Sequence, residues 1–149
     1  NDAYALGQRL KTQNLIPAHI ACSSAKRTQE TCGALLKGLE TPVHAEFSKM
    51  LYSASFGDLL AFIQSTDDSL ESLMIIGHNP TIYEVAVRLA SEGPDTILNH
   101  LAQGYAPATL SLIEANIEHW AEINPSACKI TTLLDPLDYN APATPARWT

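Results

Sequence analysis

The chain has no hydrophobic run of the roughly 20 residues that a membrane-spanning helix needs, and no charged-then-apolar leader opens it. Neither a membrane span nor a signal peptide is expected. Basic residues are scarce: 9 Lys and Arg stand against 16 Asp and Glu, a formal net charge of −7. Nucleic acid is gripped through its phosphates by basic surface, so no nucleic-acid partner is expected. Net charge says nothing about one small cationic pocket. Cysteine is also sparse. Cys22, Cys32 and Cys128 are odd in number and form no CxxC pair, which fits reduced, mostly buried thiols in a cytoplasmic protein. HExxH is absent, and His44, His100 and His119 have no second ligand at a metal spacing. No G-x-S-x-G elbow, Walker loop or GxGxxG occurs. Neither a metal nor a cofactor is expected, and there are no internal repeats.

What is present is enough for one ordinary domain. The 149 residues are 46% hydrophobic, and domains of this length bury about 68–70% of the surface their unfolded chain exposes. Residues 1–137 are expected to form that domain. The tail 138–149, with Pro142 and Pro145 amid alanine and threonine, is expected to be extended or disordered.

Hydrophobic spacing divides the domain into alternating elements. Residues 2–14 read as a helix with Ala3, Leu6 and Leu10 on one face and Asn14 as its stop. Residues 19–22 read as a strand. A helix from Ser24 to about Lys37 follows, with Thr28, Cys32, Leu35 and Leu36 inward and Gly38 closing it. Residues 42–45 form a candidate strand and 47–55 an irregular stretch. A helix over 57–64 has Ser55 as a possible cap. A strand over 73–76 leads into a helix from Pro80 to about Ser91, and residues 95–102 add a short helical turn. Residues 108–114 and 119–123 read as the two arms of a hairpin, and 130–134 as a last strand. Strands alternating with helices predict a three-layer α/β/α domain with a mostly parallel central sheet. The opening helix has no strand before it, although a βαβ unit requires one.

The organising stretch is Leu73-Met74-Ile75-Ile76-Gly77-His78-Asn79-Pro80. Four apolar residues read as a buried parallel strand. Pro80 suits the first position of a helix and Asn79 its N-cap. His78 then sits where a buried strand hands over to a helix, the edge at which open α/β sheets bind ligands and helix N-termini favour anions. Ser23-Ser24-Ala25-Lys26-Arg27 makes a second such junction. It places two cations in a first helical turn, where the macrodipole disfavours each by about 0.3–1 kcal/mol. From these residues alone, two readings stay open. The cations could point into water or bridge to Glu30, and His78 could simply bond a carbonyl. Alternatively, two parallel strands bring both junctions to one edge, and Arg27 and His78 converge on one anion, the guanidinium offering a planar fork suited to phosphate.

At these residues the sequence resembles the histidine phosphatase (phosphoglycerate mutase-like) superfamily, and within it the SixA-type phosphohistidine phosphatases. Ser23 to Thr31 is similar to the serine-rich turn followed by Arg, Gln and Thr. Met50 to Ser55 resembles a SixA-type stretch before a leucine-rich helix. Ile75 to Pro80 resembles the second-histidine motif, and Thr109 to Glu114, Trp120 and Leu134-Asp135-Pro136 also fit. The likeness spans nearly all of residues 3–138. It implies that a strand-borne histidine attacks phosphorus and a phosphohistidine intermediate forms, which water then cleaves. It implies that Arg27 clamps the phosphoryl oxygens, that His78 stabilises the charge developing on them, and that Asn79 offers its backbone N–H. The implied partner is a phosphohistidine-bearing protein or a small phosphate ester. No helical lid is inserted between Arg27 and His78, which points to an open site suited to a protein surface.

One departure is large. No Arg-His-Gly or Arg-His-Ala occurs in these 149 residues. The expectation is therefore that the nucleophile's strand precedes Asn1, and that residues 1–149 alone do not turn over substrate. The leaving-group acid is also open: Glu46 is nearest by position, and Met50 occupies the place before Leu-Tyr. The competing readings are a small-molecule phosphomonoesterase on the same fold and a catalytically inactive phosphate-binding adaptor.

Overall fold

The computed structural model describes residues 2–140. It opens with helix α1 (Asp2–Thr12). The chain leaves that helix through Asn14, in the left-handed region at φ 57°, while the Leu15 N–H bonds the Leu10 carbonyl at 2.8 Å. Strand β1 (Ile20–Ser23) follows, then α2 (Lys26–Leu39), β2 (Ala45–Ser48), α3 (Phe56–Gln64), β3 (Met74–Ile76), α4 (Thr81–Leu89) and α5 (Asp95–Ala102). The chain ends in β4 (Leu110–Ala115), β5 (Cys128–Leu134) and the single turn α6 (Pro136–Tyr139).

Strands β2, β1 and β3 form a parallel sheet in that order, with β1 central. Side chains alternate across a strand, and β1 feeds two cores. Ile20 and Cys22 pack with Leu6 and Leu10 of α1 and Cys32, Leu35 and Leu39 of α2. Ala21 packs with Leu59 and Ile63 of α3 and Val85 and Leu89 of α4. Helices therefore cover both faces, and the three-layer α/β architecture with a parallel sheet is observed. Every residue of β1 is 0% exposed. A second, two-stranded sheet pairs β4 with β5 antiparallel. The three cysteines are free and buried.

Helices α1 and α2 approach closely because glycines face each other. A Cβ on Gly38 would lie 2.2 Å from the Tyr4 carbonyl oxygen, and one on Gly7 would lie 2.3 Å from that of Leu35. Gly38 is thus an interior contact residue and does not close α2. Glu40, at φ 53°, takes the left-handed cap, its N–H on the Leu36 carbonyl.

Several other expectations are corrected. The strand placed at 42–45 forms at Ala45–Ser48. Pro42 has no N–H to pair, and the ladder begins where Ile20 N–H meets the His44 carbonyl at 3.0 Å. The expected hairpin arm at 119–123 is a 3-10 turn at Trp120–Glu122. Its amides bond to side chains instead of a neighbouring strand: His119 N–H donates to Glu122 at 3.1 Å and Trp120 N–H to Asp68 at 2.9 Å. The indole N–H anchors the turn to the Leu70 carbonyl, so β5 is the partner of β4. Asp138 and Tyr139, read as the start of the tail, belong to α6, which the Asp135 carboxylate caps. The rest of the expected tail, 141–149, lies outside the described residues.

Candidate active site

Parallel pairing brings both junctions to one sheet edge. Ile20 pairs with Met74 and Cys22 with Ile76, so Ser23 comes level with Gly77 and His78 follows. Helices α2 and α4 both begin just beyond this edge, the position where open α/β sheets bind ligands.

The contact that joins the two junctions is between Ser23 and His78. His78 Nε2 lies 2.8 Å from Ser23 Oγ. The same oxygen accepts the Ala25 N–H at 3.2 Å, which leaves a lone pair or its own hydrogen for the imidazole. The turn around it is tied down by the next two side chains. The Thr28 hydroxyl lies 2.9 Å from the carbonyls of both Ser23 and Ala25. Gln29 Nε2 donates to the Ser24 carbonyl at 2.8 Å. On the other side, Ser24 N–H reaches the Ser48 carbonyl of β2 at 3.1 Å. Ser23 was read in the sequence only as part of a polar turn. Its signal is positional: it is the last residue of a buried strand, in step with the glycine before His78.

Arg27 stands in the first turn of α2, whose N-cap Ala25 supplies no side-chain bond and which carries no acid there. Arg27 and Lys26 are exposed. Among the described residues neither forms an ion pair, with Glu30 or any other acid. Two cations therefore sit unneutralised at the positive end of a helix dipole. No hydrogen bond joins Arg27 to His78 among the described residues; the topology puts their two junctions at one edge of the sheet.

His78 is half-buried. Its ring lies 5.3 Å from that of Tyr52, tilted by 42°. A small cleft beside it is lined by Leu51, Tyr52, Gly77, Thr81 and Ile82. Gly77 leaves room there for the Ile82 side chain, which a Cβ would meet at 3.0 Å and displace slightly. The expected cap at Asn79 is displaced. Pro80 is the N-cap, α4 starts at Thr81, and no side chain caps it. The helical bonding pattern begins earlier than the cap, with Ile82 N–H on the His78 carbonyl and Glu84 N–H on that of Pro80, both 2.9 Å. Asn79 itself is exposed on the turn, joined to Pro80 by a cis peptide.

The remaining histidines are engaged elsewhere. His19 Nε2 binds Glu46 at 3.0 Å, and its Nδ1 meets that of His44 at 3.2 Å. This holds the Glu46 carboxylate at the His19 end of β1, whereas His78 lies at the Ser23 end. His100 pairs with Asp135 and His119 with Asp68, each at 3.0 Å. Among the described residues no group of three or more His, Cys, Asp or Glu side chains is arranged to hold a metal, and no helix is long and apolar enough to cross a membrane.

No family model matches the chain. Solved structures do. SixA from Nakamurella multipartitia superposes with a TM-score of 0.74 at 21% identity, covering 91% of this chain and 80% of that one. SixA from Agrobacterium tumefaciens gives 0.73 at 19% identity, over 91% and 78%. The fold is that of SixA. A third SixA structure, of the protein histidine phosphatase complexed with tungstate, gives 0.68 at 17% identity over 90% and 78%. Among curated sequences, uncharacterized proteins of two Mycobacterium tuberculosis strains are 26% identical over 113 residues, 74% of this chain and 68% of each of theirs. An uncharacterized protein of Mycobacterium leprae is 30% identical over 92 residues, 62% of this chain and 55% of its own length. On this SixA-like scaffold Ser23, Arg27 and His78 occupy one edge of the parallel sheet.

Proposed function

We propose that this edge is a phosphoryl site and that the protein is a phosphatase of the histidine phosphatase type, acting on phosphohistidine in proteins. The observation that carries the reading is the meeting of the two strand-to-helix junctions through Ser23 and His78, with Arg27 unneutralised beside them. The guanidinium fork takes two phosphoryl oxygens. His78 faces the charge that builds on a third, and the Asn79 N–H supplies a further donor. The exposed position of Arg27 and Asn79 suits a residue presented on a protein surface. Three buried, unpaired thiols suit the reducing cytoplasm.

The chemistry needs a nucleophilic imidazole. None of the five histidines follows an arginine. We place the nucleophile outside residues 1–149, on a strand docked against β3. Two features support that placement. Among the described residues β3 pairs on one side only, and β4 is not bonded to it. Every residue of β3 is half-buried, where all of β1 is fully buried. The nucleophilic nitrogen bonds phosphorus as the substrate's P–N bond breaks, and the departing imidazole takes up a proton. Water then cleaves the enzyme's own P–N bond and releases phosphate. A protonated imidazole leaves readily, so little help from a carboxylic acid is needed.

The test compares residues 1–149 with the same chain extended at its N-terminus by a strand carrying Arg-His. Each is given a histidine-phosphorylated carrier protein and a sugar phosphate. The reading predicts phosphate release from the carrier by the extended form only. Turnover by residues 1–149, or preference for the sugar phosphate, contradicts it. Phosphate binding without turnover by either form would favour the inactive adaptor.

A further inference from the structure

Tyr52 is the most exposed of the large hydrophobic side chains described, at 60%. It is not loosely placed. It belongs to the 3-10 turn Met50–Tyr52, whose middle residue, Leu51, is buried at 4% in the core under α3 and α4. That anchor fixes the two flanking side chains outward. Tyr52 meets the His78 ring on one side and borders the cleft beside it. Met50 is also exposed, at 40%. Three cations stand on the elements that meet at this sheet edge, Lys26 and Arg27 in the first turn of α2 and Lys49 immediately before the turn that carries Tyr52, and none is ion-paired among the described residues. No carboxylate lines the cleft.

Cations and aromatic surface ask for different parts of one ligand. The cations and His78 suit a dianionic phosphoryl group. The open flank of Tyr52 suits a flat ring carried on that group, since aromatic pairs gain from stacked or tilted contact at this spacing. A phosphorylated imidazole protonated ahead of departure carries positive charge on its ring, and that cation gains further from the face of a tyrosine. An alkyl chain, as in a phosphorylated serine or sugar, gains neither.

We infer that Tyr52 is a specificity-determining residue whose ring receives the planar group bearing the phosphoryl, so that the site selects phosphorylated imidazole or aryl rings over alkyl phosphates. The inference rests on the phosphoryl-site reading above and names its substrate class. It needs no turnover to test. Inorganic phosphate, methyl phosphate and phenyl phosphate are titrated into residues 1–149 by calorimetry, using the unaltered chain, Arg27→Ala, Tyr52→Phe and Tyr52→Ala.

Phenyl phosphate is expected to bind about fivefold or more tightly than methyl phosphate, the gain expected of one aromatic contact. Tyr52→Phe should keep that ratio and Tyr52→Ala should bring it to within about twofold of unity. Equal affinity for the two esters in the unaltered chain, or a ratio that survives Tyr52→Ala, overturns the inference. Inorganic phosphate binding that is lost in Arg27→Ala keeps the phosphoryl site even if the ring preference fails. If no phosphate compound binds, both fall.

Discussion

The Ser23 hydroxyl, at the end of a wholly buried strand, lies 2.8 Å from Nε2 of His78, which is 55 residues further along the chain. That contact fixes the imidazole relative to the turn that launches Arg27. A ring held by a buried hydroxyl is pre-organised, and pre-organised donors do not reorganise when charge develops in front of them.

Removing the hydroxyl should therefore weaken anion binding as well as the fold. Ser23→Ala frees the ring and strips the Ala25 amide of its acceptor. A net hydrogen bond is worth about 1 kcal/mol. The expectation is a stability loss near that figure and a tungstate affinity lowered by about three- to tenfold, measured by urea denaturation and calorimetry. Unchanged tungstate affinity would show that Ser23 does not position His78.

Two glycines of α2 should respond in opposite directions. Gly33 has nothing within 4 Å of an added Cβ, so Gly33→Ala should stabilise by up to about 1 kcal/mol through helix propensity. Gly38→Ala gains the same propensity but drives a methyl into the Tyr4 carbonyl. Overpacking of this kind costs about 1–3 kcal/mol, so the net effect should be destabilising. Thermal unfolding of the two variants checks the sign directly.

Much of this was legible in the sequence. Period-3.6 spacing located α1, α2, α3 and α4, and Ser55 does cap α3, reciprocally with Asp58. Short apolar runs between turn residues located β1 and β3, and their parallel pairing carries both junctions to one edge. Most of what could not be read depends on partners remote in the chain. Gly38 looks like a helix end because its contact is with Tyr4 and Gly7, more than thirty residues earlier in the chain. Asn79 is a local miss by one position: Pro80 takes the N-cap place and α4 starts at Thr81, with the Ile82 and Glu84 amides on the His78 and Pro80 carbonyls. Residues 119–123 look like a strand until Asp68 and Leu70 take their donors. Ser23 is invisible as a site residue until the register of β1 against β3 is known.

Asp68 gives a pH prediction away from the site. The Trp120 amide and, after it, His119 hold its carboxyl below the ordinary value of 3.8. A carboxylate with a depressed folded-state value stabilises above its unfolded value, and the contribution disappears as pH falls through the folded one. Asp68→Asn should thus be less stable than the unaltered chain at pH 7, with the gap closing below pH 3.8. Denaturant midpoints at pH 7, 5 and 3 give the comparison. A gap independent of pH would assign the loss to packing.

The central claim is that Arg27 and His78 grip one oxyanion. Its most direct measurement follows the imidazole resonances of His78 by NMR as inorganic phosphate is added to residues 1–149, in the unaltered chain and in Arg27→Ala. The account predicts that the His78 signals move saturably, that His19, His44, His100 and His119 stay in place, and that Arg27→Ala weakens the response at least tenfold. Phosphate that leaves His78 unmoved, or moves it equally without Arg27, would contradict the account.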